Sequence, residues 1–155
     1  MITHLNKDNK PHIVDIYKKK MTERIAIAQG QVKFTKKIFS KIAKMKTKKG
    51  EISSISIIAG IMGAKKTSEL IPLCHNIPIE NIDLNIKKNN LSSSFIVSAK
   101  VKTYSKTGVE MEALTAVSIT CLTIYDMTKS LDKSIIIKDI KLISKKGGKS
   151  DYNID

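Results

Sequence analysis

The segment from Gly108 to Leu131 limits this chain more than any other feature. Between Glu112 and Asp126 it is apolar on nearly every side. A helix that is apolar all round belongs in an interior, so the segment predicts a buried central helix. The chain has 155 residues, the size of a single domain. If Glu112 and Asp126 share one continuous helix, the rise per residue sets them roughly 21 Å apart. One small ligand does not bridge that distance within a single copy. Either the two ends do unrelated work, or a second copy brings one end against the other. An apolar helix this long in so short a chain also points to an oligomer with sites at its interfaces.

The rest of the chain is arranged around that helix. Residues 1–22 are polar and basic and read as an arm, ordered where it meets a ligand or another subunit. Residues 23–155 form one domain, with no internal repeat and no linker. Ile25, Ile27 and Val32 suggest a short strand broken by a bend at Gly30. Phe34, Ile38, Ile42 and Met45 have helical spacing, and the basic stretch Lys44 to Lys49, with Gly50, ends that helix. A second helix is predicted from Glu51 to about Lys66. Its packing face would be Ile52, Ile55, Ala59 and Met62, widened by Ile58 and Ile61, with Gly60 and Gly63 tolerated where another backbone comes close. Alternation over Ile82–Ile86 and Phe95–Val101, about a turn at Lys88-Asn89-Asn90, predicts an antiparallel pair. A last strand is expected over Ile135–Ile143. This order gives an α+β domain with helices on one face of a sheet.

Lys and Arg number 28 against 14 Asp and Glu, a formal charge of +14 that favours anionic partners. Only Arg24 is arginine, and 26 residues are Ile. A lysine- and isoleucine-rich composition also follows from an A+T-rich genome. Cys74 and Cys121 are too few for a disulfide scaffold, which suits a reduced interior. No apolar stretch near the N-terminus has the form of a signal peptide. The longest uncharged apolar-rich run, Ala113 to Tyr125, is 13 residues against the roughly 20 that span a bilayer. A soluble cytoplasmic protein without a membrane partner is expected. A nucleic-acid module would suit the charge, but there is no Trp, and 3 Phe and 4 Tyr do not interleave with basic residues.

Reactive side chains gather in four places, and each has a structural alternative. Lys48-Lys49-Gly50 lies between two helices, where lysines are commonly a solvated face. Lys65 to Glu69 leads into Leu73-Cys74-His75. Adjacent residues of an extended loop point apart, and no CxxC or spaced His pair completes a metal site. His75 is better placed to hydrogen-bond a ligand. Glu110-Met111-Glu112 opens the central helix, where its dipole favours carboxylates. Asp126, with Lys129 three residues on, is either a structural ion pair or an acid–base pair with coupled protonation. Gly147-Gly148-Lys149-Ser150 imitates the end of a phosphate-binding loop, but Ile143 stands where the earlier glycine is required.

Three blocks carry a wider resemblance: Ala59 to Lys65 with Thr67 to His75, Lys106 to Ala116, and Leu122 to Met127. With the Gly147–Ser150 tail they resemble the cyclic pyranopterin monophosphate synthases of molybdenum cofactor biosynthesis, from about Val14 to Lys149. That resemblance implies a ferredoxin-like antiparallel sheet with helices on one face, and a homohexamer built as a trimer of dimers with interfacial sites. It implies conversion of 3′,8-cyclo-7,8-dihydroguanosine 5′-triphosphate to cyclic pyranopterin monophosphate and diphosphate, with no redox cofactor and no metal. By matching position it makes Asp126, Lys129 and Lys49 catalytic. Leu73, Cys74, His75, Glu110, Met111, Glu112, Lys65 and Arg24 would bind substrate. Lys66 and Ile57 stand where the family commonly has Arg, and Asn76 where it has Pro. Lysine lacks the bidentate grip of arginine on phosphate. A non-catalytic structural subunit is the remaining alternative; it would assemble without binding the cyclised nucleotide.

Overall fold

The computed structural model describes residues 5–42, 46–47 and 50–154. Two split β–α–β units make the fold. The first strand, β1 (Thr22–Lys33), leads through α1 (Lys36–Ile42) and a two-residue ladder of β2 (Lys46–Thr47) with β3 (Gly50–Glu51). Helices α2 (Ile52–Lys65) and α3 (Thr67–Leu70) follow, then β4 (Asn81–Asn89) and β5 (Ser94–Ser105). The long helix α4 (Glu110–Thr128) precedes β6 (Ile136–Lys146) and the short β7 (Tyr152–Asn153). The main sheet has the order β4-β5-β1-β6-β7 and is antiparallel throughout. Its four long strands have the ferredoxin-like arrangement, and the helices α2 and α4 cover one face.

Alternation explains the sheet's layering. On β1, Ala26, Ala28 and Val32 are buried, while Ile25, Ile27, Gln29 and Gln31 on the opposite face are half-buried. Phe95, Val97, Ala99 and Val101 do the same on β5. Small alanines at 26, 28 and 99 leave room for α4, whose Ala113, Ala116, Val117, Thr120, Cys121 and Ile124 are buried. The central buried helix expected from the sequence is present, as are the antiparallel β4–β5 pair and the last strand.

Three expectations need correction. Strand β1 is not broken at Gly30: it pairs with β5 continuously from Thr22 to Lys33. The irregularities lie in its pairing with β6, which shifts register between Ile27 and Ala28 and again between Gln29 and Gln31, the second beside Asp139 at φ 55°. Gly30 is required for closeness instead; a Cβ there would sit 2.7 Å from Val117 Cγ1 and 3.0 Å from Ile140 Cγ1. The second correction concerns the packing face of α2. Ile52, Ser56, Gly60, Gly63 and Ala64 are buried, whereas Ile55, Ile58 and Met62 are exposed. Small residues win because α2 lies directly on α4: a Cβ on Gly60 would come within 2.9 Å of the Ala116 carbonyl oxygen, and one on Gly63 within 2.7 Å of Ile119 Cγ1. Third, β7 and α3 carry too little apolar pattern to be seen in sequence. The first helix reaches Ile42; Met45, Lys44, Lys48 and Lys49 lie outside the described residues.

Candidate functional site

Two hollows lie side by side at the N-terminal end of α4. The larger, of about 430 Å³, is cationic. Arg24 reaches it from β1, Lys145 and Lys146 from the end of β6, and Lys149 from the tail. Lys106 joins from the loop before α4, and Lys19 and Lys20 from the segment before β1. Glu110 is the carboxylate among them, with Lys145 Nζ 3.2 Å from its Oε1. The Arg24 guanidinium is held by the chain itself, donating to the Ser105 carbonyl at 3.3 Å and the Lys106 carbonyl at 3.4 Å. Gly147, at φ +86°, turns the chain after β6 and packs on the Glu23 carbonyl. That left-handed turn brings Gly148 and Lys149 back over Arg24.

The neighbouring hollow, about 390 Å³, has a different chemistry. Leu73, Cys74 and His75 form one wall, and Glu110, Met111 and Glu112 in the first turn of α4 form another. Those are six of the eight residues expected to bind substrate; Arg24 lines the first hollow and Lys65 lines neither. His75 Nε2 lies 2.7 Å from the Val14 carbonyl oxygen. A carbonyl only accepts, so Nε2 carries the proton and Nδ1 is left as an acceptor. Glu112 is buried, at 4% exposure. Burial raises its pKa above the ordinary carboxyl range, a hydrogen bond from its own backbone N–H opposes that, and Glu110 adds to the rise. The Cys74 thiol is also pushed up, first by burial and then by Glu112. A thiol held protonated is a poor nucleophile, which fits a binding role for Cys74.

The other expected residues stand elsewhere. Asp126 and Lys129 form an ion pair, Nζ to Oδ1 2.7 Å, with both side chains about half-exposed (56% and 53%). The Lys129 pKa is raised by its hydrogen bond and charge interaction with Asp126. The pair sits at the C-terminal end of α4 and lines neither hollow. Since α4 is continuous, the distance of roughly 21 Å from Glu112 holds. Lys65 is exposed in the last turn of α2 and also lines neither hollow. Lys49 lies outside the described residues. Sequence reasoning missed Lys145, Lys106 and Lys19. In a chain with so many lysines, only the pairing of β6 with β1, Ala26 opposite Lys145, singles one out. Among the described residues, no group of three or more His, Cys, Asp or Glu could hold a metal ion.

A carboxylate-bearing hollow can accept N–H groups of a heterocycle, and an adjoining cationic hollow can hold its anionic tail. Fold and site together define an α+β protein with the means to hold a small, anion-tailed ring compound. Comparison with known proteins makes this specific: the chain belongs to the MoaC family, whose model matches residues 13–148. It is 53% identical over 154 residues to the cyclic pyranopterin monophosphate synthase of Helicobacter pylori (strain G27), covering 99% of this chain and 98% of that one. The protein of that name from Syntrophomonas wolfei is 48% identical, covering 97% of this chain and 96% of that one. The one from Cereibacter sphaeroides is 44% identical, covering 96% and 94%.

Proposed function

We propose that this protein is a cyclic pyranopterin monophosphate synthase. It would convert 3′,8-cyclo-7,8-dihydroguanosine 5′-triphosphate to cyclic pyranopterin monophosphate with release of diphosphate. The observation that carries this reading is the pairing of near-full-length identity to synthases of that name with two adjoining hollows suited to the two ends of such a nucleotide. The guanine-derived ring would lie between His75 and Glu112, whose carboxylate accepts hydrogen bonds from ring N–H groups when ionised. The triphosphate would lie against Arg24, Lys145 and Lys149.

Opening the five-membered ring and closing a pterin ring requires protons to be moved to and from nitrogen and carbon. Asp126 and Lys129 have the acid and base character for this, and Lys49 supplies a further acid or a phosphate contact. A ribose hydroxyl then attacks the α-phosphorus, losing its proton to a base. The bond from that phosphorus to the bridging oxygen of the diphosphate breaks, and nearby ammonium and guanidinium groups stabilise the charge that develops there.

Because Asp126 and Lys129 are a helix length from Glu112, a complete site would take its acid–base pair from a second copy. An exposed apolar surface supports such association. Ile55, Ile58 and Met62 on α2, with Leu122 on α4, leave an apolar surface on the helical side of one subunit. The expected grouping is a hexamer, a trimer of dimers, with the N-terminal arm folded into the site and the rest of the chain a single catalytic domain. Both cysteines are free thiols, in keeping with a reducing, cytoplasmic setting. No helix among the described residues is long and apolar enough to cross a membrane.

The test is incubation with the cyclised guanosine triphosphate. Stoichiometric diphosphate release, together with a product that gives pterin fluorescence on oxidation, is expected. A stable protein that binds this nucleotide but releases no diphosphate would contradict the assignment.

A further inference from the structure

The segment ahead of β1 is drawn across the site. His75 Nε2 pins it through the Val14 carbonyl at 2.7 Å. Lys106 pins it again three residues on, its Nζ donating to the Tyr17 carbonyl at 2.7 Å and lying 5.1 Å from the Tyr17 ring centroid. Between and just after these pins the chain makes a tight turn. Asp15 Oδ1 accepts the Tyr17 N–H at 2.8 Å, and the Ile16 carbonyl accepts the Lys19 N–H at 3.0 Å. Asx turns of this kind fix local backbone direction. Val14 and Ile16 are half-buried and line the ring hollow.

This turn distributes three consecutive lysines unequally. Lys18 lines neither hollow, Lys20 lines the cationic one, and Lys19 lines both. Among the described residues, Lys19 is the one cation on the wall that the hollows share, with Thr107, Gly108 and Glu110. Glu110 on that wall is already engaged by Lys145. A ligand with its ring in one hollow and its anionic chain in the other must pass this point.

We propose that Lys19 binds the phosphate chain where it leaves the ring, and that the arm is a wall of the substrate site. The inference rests on the reading of the substrate given above. The primary ammonium has three donors on a flexible stem and can follow a phosphate that moves as diphosphate departs. Its backbone is held by the Ile16–Lys19 turn, and the head group keeps that freedom.

The three lysines provide their own control, because each alanine variant removes one positive charge from the same exposed segment. Binding of inorganic tripolyphosphate is measured by calorimetry at fixed ionic strength, and KM and kcat are measured with the cyclised nucleotide. Lys19→Ala is expected to weaken tripolyphosphate binding and to raise KM, each by about tenfold or more, with kcat changed far less. Lys20→Ala should show a smaller loss, Lys18→Ala less than about twofold, and Lys19→Arg should recover most of the binding. Equal losses for Lys18→Ala and Lys19→Ala would overturn the proposal, as would an unchanged Lys19→Ala or a wild-type protein that does not bind tripolyphosphate. Tripolyphosphate binding through Lys19 without turnover of the nucleotide would leave this role standing and remove the synthase reading. Full turnover with an unaltered KM in Lys19→Ala would do the reverse.

Discussion

Glu112, proposed to bind the ring, shows at the scale of one residue how a group placed for a ligand can cost stability. Its carboxyl is buried and its pKa is raised, chiefly by burial. A carboxyl whose folded-state pKa lies above the unfolded one favours folding while protonated. That contribution is complete below the ordinary carboxyl range and is lost as pH rises through the folded-state value. Glu112→Gln is therefore expected to melt at a higher temperature than the parent near neutral pH without ligand. The difference should shrink toward zero below about pH 4, and the variant should bind substrate less well. Matching melting curves at neutral pH would show that the ionised side chain costs nothing there. Asp126 and Lys129 differ: half-exposed partners contribute little to stability. Asp126→Asn or Lys129→Ala should lower kcat by about 10²-fold or more while leaving the melting temperature almost unchanged. Variants that keep full turnover would remove both from catalysis.

At the scale of elements, the contact between α2 and α4 depends on glycine. Replacing Gly60 by Ala gains about 1 kcal/mol of helix propensity. The added methyl group, however, meets the Ala116 carbonyl at 2.9 Å and the Thr120 side chain. Overpacking of this kind costs about 1–3 kcal/mol, so urea denaturation should show net destabilisation. A stabilised Gly60→Ala would mean that the helices have room to separate. The same glycines show what was legible in the sequence. Period-two patterns over β4 and β5 and the all-round apolarity of α4 fixed those elements, because the burial of large side chains creates those patterns. Gly30 and the α2 face were misread for one reason: close backbone approach is signalled by missing side chains, and a missing side chain looks the same in a bend as in a contact. In the site, the Leu73–His75 and Glu110–Glu112 clusters were legible because they combine unusual residue types. The lysines were not, since a lysine in a hollow and one in solvent are spelled alike in a chain with 28 basic residues.

At the scale of the whole molecule, the proposed catalysis depends on how copies of the chain meet. On the proposed reading, one subunit holds the ring-binding and phosphate-binding groups at one end of α4 and the acid–base pair, Asp126 with Lys129, at the other. If the apolar surface of α2 joins subunits, Ile58→Glu should shift the protein to a smaller species in sedimentation. Turnover should fall with it, although Ile58 lines neither hollow. An active variant of unchanged size would place the interface elsewhere. Complementation asks the question most directly. Asp126→Asn and Glu112→Gln chains, assayed at a substrate concentration where each alone turns over little, are unfolded together in equal amounts, refolded as mixed oligomers and assayed for diphosphate release. If every site takes Asp126 from one copy and Glu112 from another, random mixing restores both residues in about one quarter of sites, and about that fraction of parental activity returns. Mixed oligomers no more active than the separate variants would show that each chain uses its own Asp126 and Glu112, and would contradict the shared site.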